Sequence, residues 1–135
     1  MQQEQFEREV IDACVKTYIQ GVPSINSAWN CQYLSGDGSK CAIGHMMTEE
    51  ELQKYGGVQA GVNQLTGGYR GGWRVGVYSD EQLVTLGYLQ KAHDRNRYSE
   101  DFRHDFVIAL KNTTISPIFT KAAEACEQWH KENIK

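Results

Sequence analysis

Glycine is concentrated in one stretch of this chain, and this limits the regular structure that the middle of the chain can adopt. Eight of the 13 glycines lie within residues 56–77. Glycine loses more conformational entropy on folding than any other residue, so such a density opposes regular helices and strands. We therefore expect a long glycine-rich loop over 58–77, with at most a brief strand at 73–77.

Amphipathic patterns on both sides of this stretch predict helices. They cover residues 2–20, 48–56, 80–95, 100–111 and 117–132. Gly21 is a good residue to end the first helix. Thr48 and Ser79 each begin a capping box, and Ser99 and the Ser116-Pro117 pair are expected to cap the last two helices.

A polar turn, Ser35-Gly36-Asp37-Gly38-Ser39, separates the short segments 31–34 and 40–43. Asp-Gly supplies the positive φ of a tight turn, so this spacing predicts a small β-hairpin. The expected fold is mainly α (α+β), with four to five helices, the hairpin and the glycine-rich loop, in a single domain over 1–135.

Composition excludes several classes of partner. The net charge of −3 provides no general basic field, which argues against nonspecific binding to duplex DNA. No apolar run approaches the ~20 residues that a membrane span needs, so no membrane partner is expected. The polar, acidic N-terminus predicts no signal peptide. These features predict a cytoplasmic protein whose four cysteines are reduced.

Two motifs carry a resemblance. They are Cys31-x-Tyr33 with Asp37-Gly38-x-x-Cys41-Ala42-Ile43-Gly44, and Leu89-Gln90-x-x-His93-Asp94. Over roughly residues 1–110 the chain resembles a group of small uncharacterised proteins encoded by tailed phages and prophages. It departs from them at Met47-Thr48-Glu49-Glu50, where a proline is usual, and in the Gly/Arg-rich stretch 67–76. The resemblance implies no activity. It does imply a phage accessory protein in the cytosol of a bacterial host.

The cysteines divide into two kinds. Cys14 and Cys126 fall on apolar helix faces and are expected in the core. Cys41 could be a nucleophile if a helix start lowered its pKa and His93 or His45 served as the base. The alternative, which we prefer, is that Cys41 is buried beneath the hairpin with a raised pKa. A reversible disulfide between Cys31 and Cys41 is a further option.

The same residues contain the ligand types of a zinc site. Cys31, Cys41, His45 and His93 offer thiolates and imidazoles, which Zn²⁺ prefers. Their spacing lacks the close ligand pairs of common zinc motifs, so the sequence favours no metal and no other cofactor.

His93 follows the apolar residues of its predicted helix at steps of three and four, so we expect it to face inward as a hydrogen-bonded structural residue. Asp94 lies about 100° around the helix, so its position in the sequence does not by itself make it the partner of His93. His104 is expected to point to solvent.

The glycine-rich loop offers a candidate ligand site at Tyr69, Arg70, Trp73 and Arg74. Arginine binds anions through a planar fork, aromatic rings can stack on bases, and glycine lets backbone N–H groups approach a ligand. The alternative is a flexible loop in which Trp73 is only an anchor to the core.

Two functions remain open from the sequence. The preferred one is a noncatalytic binding protein, a phage accessory factor that antagonises a host defence component, either a nucleotide-like signal or a protein. The alternative is a small cysteine-dependent enzyme that uses Cys41 with His93 or His45.

Overall fold

The computed structural model describes residues 1–134, most of which lie in helices. The six α-helices are α1 (Gln3–Gln20), α2 (Glu49–Tyr55), α3 (Val62–Thr66), α4 (Asp80–Asp94), α5 (Phe102–Lys111) and α6 (Pro117–Asn133). Two 3₁₀ turns lie at Gly44–Met46 and Tyr69–Gly71. The prediction of a mainly helical fold is confirmed, although the described residues contain six α-helices and not the four to five expected. Within residues 1–134, no helix combines the length and the apolar character that crossing a membrane requires.

Local capping signals place most helix ends correctly. Gly21 ends α1 with φ 75°, and its N–H donates to Thr17. The predicted capping boxes at the starts of α2 and α4 both form. The predicted Ser99 cap of α5 is wrong, because the carboxylate of Asp101 accepts the backbone N–H of His104 and the helix begins two residues later than expected.

The first and last helices of the chain pack on each other. α1 makes its most extensive contacts with α6, and α5 packs between α6 and α4, while α3 packs on α4. Cys14 and Cys126 are fully buried where α1 meets α6, as predicted. The largest fully buried side chains are those of Trp73, Phe6, Phe106, Phe119, Ile43, Leu65, Leu86, Leu89, Leu110 and Ile118.

The predicted loop at 58–77 is more ordered than glycine content suggested. It contains α3, whose buried face comprises Val62, Leu65 and Thr66, and the 3₁₀ turn that follows. Residues 73–77 form turns, so the brief strand expected there is absent from this part of the chain. Burial of one apolar helical turn outweighs the entropy cost of the flanking glycines.

The predicted β-hairpin is reduced to one bridge. Leu34 pairs with Lys40 across a turn in which Gly38 has the expected positive φ, at 88°. Gly44 then passes so close to the preceding segment that a Cβ would lie 2.0 Å from the Tyr33 carbonyl oxygen. The close contact between Gly44 and Tyr33 directs the chain into the 3₁₀ turn that follows residue 43. The segments 31–34 and 40–43 therefore do not form a longer ladder of backbone hydrogen bonds.

Candidate ligand-binding pocket

Residues from both sequence motifs line one pocket of about 300 Å³. Its walls come from the segments 30–33 and 58–64, from Cys41, and from the C-terminal end of α4. The lining residues are Asn30, Cys31, Gln32, Tyr33, Cys41, Val58, Gln59, Ala60, Gly61, Gln64, Gln90, Asp94 and Arg97. The sequence did not predict that these segments enclose a cavity.

Tyr33 and Gln90 hold one wall in place. The Tyr33 hydroxyl donates to the Ala60 carbonyl at 2.6 Å and accepts from the Gln90 amide at 3.3 Å. The Gln90 carbonyl oxygen accepts the N–H of Val62, the first residue of α3, at 3.1 Å. One glutamine side chain therefore joins α4, α3 and the 30–33 segment, so this wall is set before any ligand binds.

His93 organises the opposite wall, and it is fully buried as predicted. Its Nε2 accepts the backbone N–H of Ser24 at 2.9 Å, which places the ring proton on Nδ1. Nδ1 lies 2.9 Å from the Asp94 carboxylate and donates to it. Helical spacing alone did not identify Asp94 as the partner of His93, and the structure shows that its short side chain reaches the ring at the end of α4.

The Asp94 carboxylate also affects the pKa of the neighbouring Cys31 thiol. Burial, and after it the charge of the Asp94 carboxylate, raise the pKa of the Cys31 thiol to about 12, although Arg97 lowers it. Cys31 is therefore a neutral thiol at pH 7. Cys31, His93 and Asp94 therefore lie together. However, His93 accepts a backbone N–H, and the negative charge of Asp94 disfavours the Cys31 thiolate. A catalytic cysteine needs the opposite, a histidine that acts as its base and surroundings that stabilise the thiolate.

Cys41 is buried at the inner end of the pocket. Its sulfur accepts the N–H of Gly44 at 3.3 Å, yet burial outweighs this bond and raises the pKa of the thiol to about 12. His45 contacts Gln20 at 3.1 Å instead, and burial and the nearby Lys40 lower its pKa to about 4. The nucleophile set of Cys41 with His93 or His45 is therefore not assembled, and the preferred structural role of Cys41 agrees with its burial.

The predicted zinc set is not assembled either. Within residues 1–134, the one group of three metal-ligating side chains comprises Cys31, His93 and Asp94, whose atoms lie within 4.8 Å of one another. Both ring nitrogens of His93 are already used, so a metal at Nδ1 would have to displace the proton while Nε2 still holds an amide. This arrangement fits a hydrogen-bonded structural histidine better than a metal ligand.

The four residues proposed from the glycine-rich stretch fall into two pairs. Tyr69 and Arg70 are exposed, and the guanidinium of Arg70 lies 5.7 Å from the ring centre of Tyr69. Trp73 is fully buried, and Arg74 has only a fifth of its side chain exposed. The prediction that all four form one ligand site therefore fails for Trp73 and Arg74. Their side chains pack against, or pair with, other residues of the protein and are not available to a ligand.

Arg74 is held by groups from three separate segments. Its guanidinium pairs with Glu9 of α1 at 3.1 Å and Glu51 of α2 at 3.4 Å. It also donates to the Met46 carbonyl and the Tyr78 hydroxyl, each at 2.9 Å. These contacts fasten the glycine-rich stretch to α1 and α2. Sequence alone could not reveal them, because both carboxylates are distant along the chain.

Two exposed aromatic residues and one arginine of the pocket lining escaped the sequence analysis. Trp29 and Tyr98 remain half or more exposed, and their ring centres lie 5.2 Å apart. Arg97 lies beside them, with its guanidinium 5.0 Å from the ring centre of Tyr98. The two aromatic residues are 69 positions apart and follow no shared motif, so no sequence signal pairs them.

Comparison of the chain with models of known protein families, with curated proteins and with solved structures finds no match in any of the three.

Proposed function

We propose that the protein is a noncatalytic binding protein that holds a small anionic ligand in the pocket at the end of α4. Arg97 carries this proposal. Its Nε is shielded from water without a hydrogen-bond partner, and within residues 1–134 no carboxylate lies within 4.0 Å of its guanidinium. A ligand oxygen that accepts from this Nε would supply the missing partner through a charge-assisted hydrogen bond.

The other walls suit a polar ligand of modest size. Four glutamines and an asparagine place amide groups around the cavity, and Asp94 adds a carboxylate. The volume of about 300 Å³ is at the lower end of the ~300–1,000 Å³ typical of small-molecule sites. The bonds of Gln90 and His93 fix two walls in advance, which reduces the entropy cost of binding.

The raised pKa values of the pocket's two thiols support a noncatalytic role. Cys31 and Cys41 both titrate near 12, so almost none of either is thiolate at neutral pH. The His93 ring lies within 4.8 Å of the Cys31 sulfur, but Ser24 and Asp94 engage both of its nitrogens, so it is not free to act as a base. The geometry therefore favours the binding protein over the cysteine-dependent enzyme, and we do not carry the enzyme further.

The resemblance to phage proteins supplies the biological part of the proposal. We place the protein in the cytosol of a bacterial host as an accessory factor that sequesters a host defence component. Of the two kinds of component considered, a nucleotide-like signal fits this cavity better than a protein does. A small pocket can enclose most of a small molecule, whereas a stable protein interface needs ~800 Å² of surface on each partner.

Native mass spectrometry of protein purified without denaturant from bacterial cells tests the proposal. The wild type should carry a bound small molecule that Arg97→Ala loses. Arg8→Ala is the matched control, since Arg8 is exposed on α1 away from the pocket lining and its replacement should retain the ligand. A host protein that copurifies equally with Arg97→Ala would contradict small-ligand capture, as would an unliganded wild type.

A further inference from the structure

An exposed aromatic pair lies next to the proposed pocket. The rings of Trp29 and Tyr98 are tilted by 34° at a centre distance of 5.2 Å. Trp29 remains 50% exposed and Tyr98 62% exposed. Tyr98 is in contact with both Trp29 and the Arg97 guanidinium.

The backbone at Trp29 is strained in order to hold this position. Its φ is 64°, a left-handed conformation that is unfavourable for bulky residues and that they rarely adopt. Asn26 holds the turn, because its side-chain oxygen accepts the N–H groups of Ala28 and Asn30 at 2.9 and 3.0 Å. A tryptophan that is strained and still half exposed recovers little of this cost by burial, which points to a use outside the fold.

Arg97 joins the aromatic pair to the pocket. A second, shallower cleft of about 230 Å³ is lined by Asp94, Arg95, Arg97 and Tyr98. It shares Asp94 and Arg97 with the main pocket. A ligand gripped at Arg97 could therefore extend toward the aromatic side as well as into the pocket.

We propose that the ligand is a single nucleotide whose base stacks on Trp29, beside Tyr98, and whose phosphate is bound by Arg97. This inference rests on the proposed function and adds to it the side chains that bind the base and the phosphate of the ligand. A base offers the planar ring that stacks on an exposed aromatic side chain. A phosphate offers oxygens in the geometry that a guanidinium fork binds.

A single nucleotide fits better than a nucleic-acid strand. Binding a strand requires a row of cations along the backbone and several stacking rings. Here one aromatic pair adjoins a small cavity, two arginines lie near it, and the net charge of the protein is −3. One aromatic pair and one arginine whose Nε lacks a partner offer contacts for one base and one phosphate group.

Titration of ¹⁵N-labelled protein tests this assignment. The probes are the four ribonucleoside monophosphates, adenosine and ribose 5-phosphate, observed through the indole N–H signals of the three tryptophans and the side-chain signal of Arg97. At least one monophosphate should shift the signals of both Trp29 and Arg97. It should bind about tenfold more tightly than ribose 5-phosphate, since stacking on an aromatic residue is worth about 1–3 kcal/mol per base.

Trp29→Gly separates binding from folding. Glycine adopts a φ of 64° without strain, so this variant should melt no lower than the wild type. It should nevertheless lose the tenfold advantage of the nucleotide while binding ribose 5-phosphate as before. Tyr88→Ala, at an exposed aromatic residue of α4 outside both linings, is the matched control and should leave nucleotide affinity unchanged.

Three results would overturn the assignment. Ribose 5-phosphate binding as tightly as every nucleotide, without a shift at Trp29, would refute stacking and leave the small-ligand pocket intact. Failure of all four nucleotides, while mass spectrometry still finds an Arg97-dependent ligand, would refute only the nucleotide. A short oligoadenylate that binds better per base than AMP would show a strand-binding site instead.

Discussion

Arg74→Ala would remove the cation that joins the glycine-rich stretch to α1 and α2. Breaking a buried ion pair by removing one partner typically costs 3–5 kcal/mol. Here the side chains of Glu9 and Glu51 are 28% and 23% exposed, so water can partly solvate them once the guanidinium is gone. We therefore expect a loss at the lower end, about 3 kcal/mol, with the Met46 and Tyr78 bonds included. For a domain of this size that loss lowers Tm by about 10 °C.

Arg70→Ala is a closely matched control. Arg70 and Arg74 are four residues apart, both have positive φ, at 57° and 47°, and each lies over the ring of the preceding aromatic residue. The backbone strain left by alanine is therefore similar in both variants. Arg70 is exposed and forms no ion pair within residues 1–134, so its loss should change stability by no more than about 0.5 kcal/mol.

Chemical and thermal denaturation of the two variants would measure the difference. Equal melting temperatures would refute the ion-pair explanation and return Arg74 to the list of candidate ligand contacts. The pH dependence gives a second check. Burial raises the pKa of Glu51, but the Thr48 N–H and Arg74 together outweigh it and lower the pKa overall. The resulting stability is present above the unfolded value of about 4.3 and is lost as pH falls through the folded value. The gap between wild type and Arg74→Ala should therefore narrow below about pH 4.

Three further predictions concern buried groups. Gly44→Ala should destabilise the protein by more than about 3 kcal/mol, because the new Cβ would overlap a carbonyl oxygen, whereas Gly87→Ala in the open interior of α4 should stabilise it by roughly 1 kcal/mol; urea denaturation of both variants measures this contrast. Iodoacetamide should label Cys41 slowly at pH 7, with a rate that rises about tenfold per pH unit toward pH 12, and fast labelling at neutral pH would contradict its burial. His93→Ala should lower the free energy of unfolding by about 3–4 kcal/mol, since it leaves a cavity and an unpaired Ser24 amide. Because His93 is a structural residue and not a metal ligand, a metal chelator should not change the Tm of the wild type.

Features encoded by neighbouring residues could be predicted from the sequence. The end of α1 at Gly21 and the capping boxes at 48–51 and 79–82 are local, since each depends on residues within one helical turn. The inward direction of His93 follows from the same periodicity. α3 was missed because its apolar pattern spans only one turn and is surrounded by glycines.

The candidate site depends on contacts between distant residues, which local patterns do not encode. His93 binds an amide 69 residues earlier, and Arg74 pairs with Glu9, 65 residues away. Composition predicted that Trp73 and Arg74 contact a ligand. Tryptophan and arginine occur both inside proteins and in binding sites, so composition could not distinguish these two roles. Only the positions of their partners decide between these roles. The importance of Trp29 likewise depends on Tyr98 and Arg97.

The pairing of α1 with α6 has a consequence for synthesis of the chain. About 100 residues separate the end of α1 from the start of α6, and translation at ~5–20 residues per second takes about 5–20 s to cross that distance. Until α6 emerges from the ribosome, the apolar face of α1 around Phe6 and Val10 lacks the helix that covers it in the folded protein. During that interval, chaperones and proteases can reach a surface that the finished molecule never exposes.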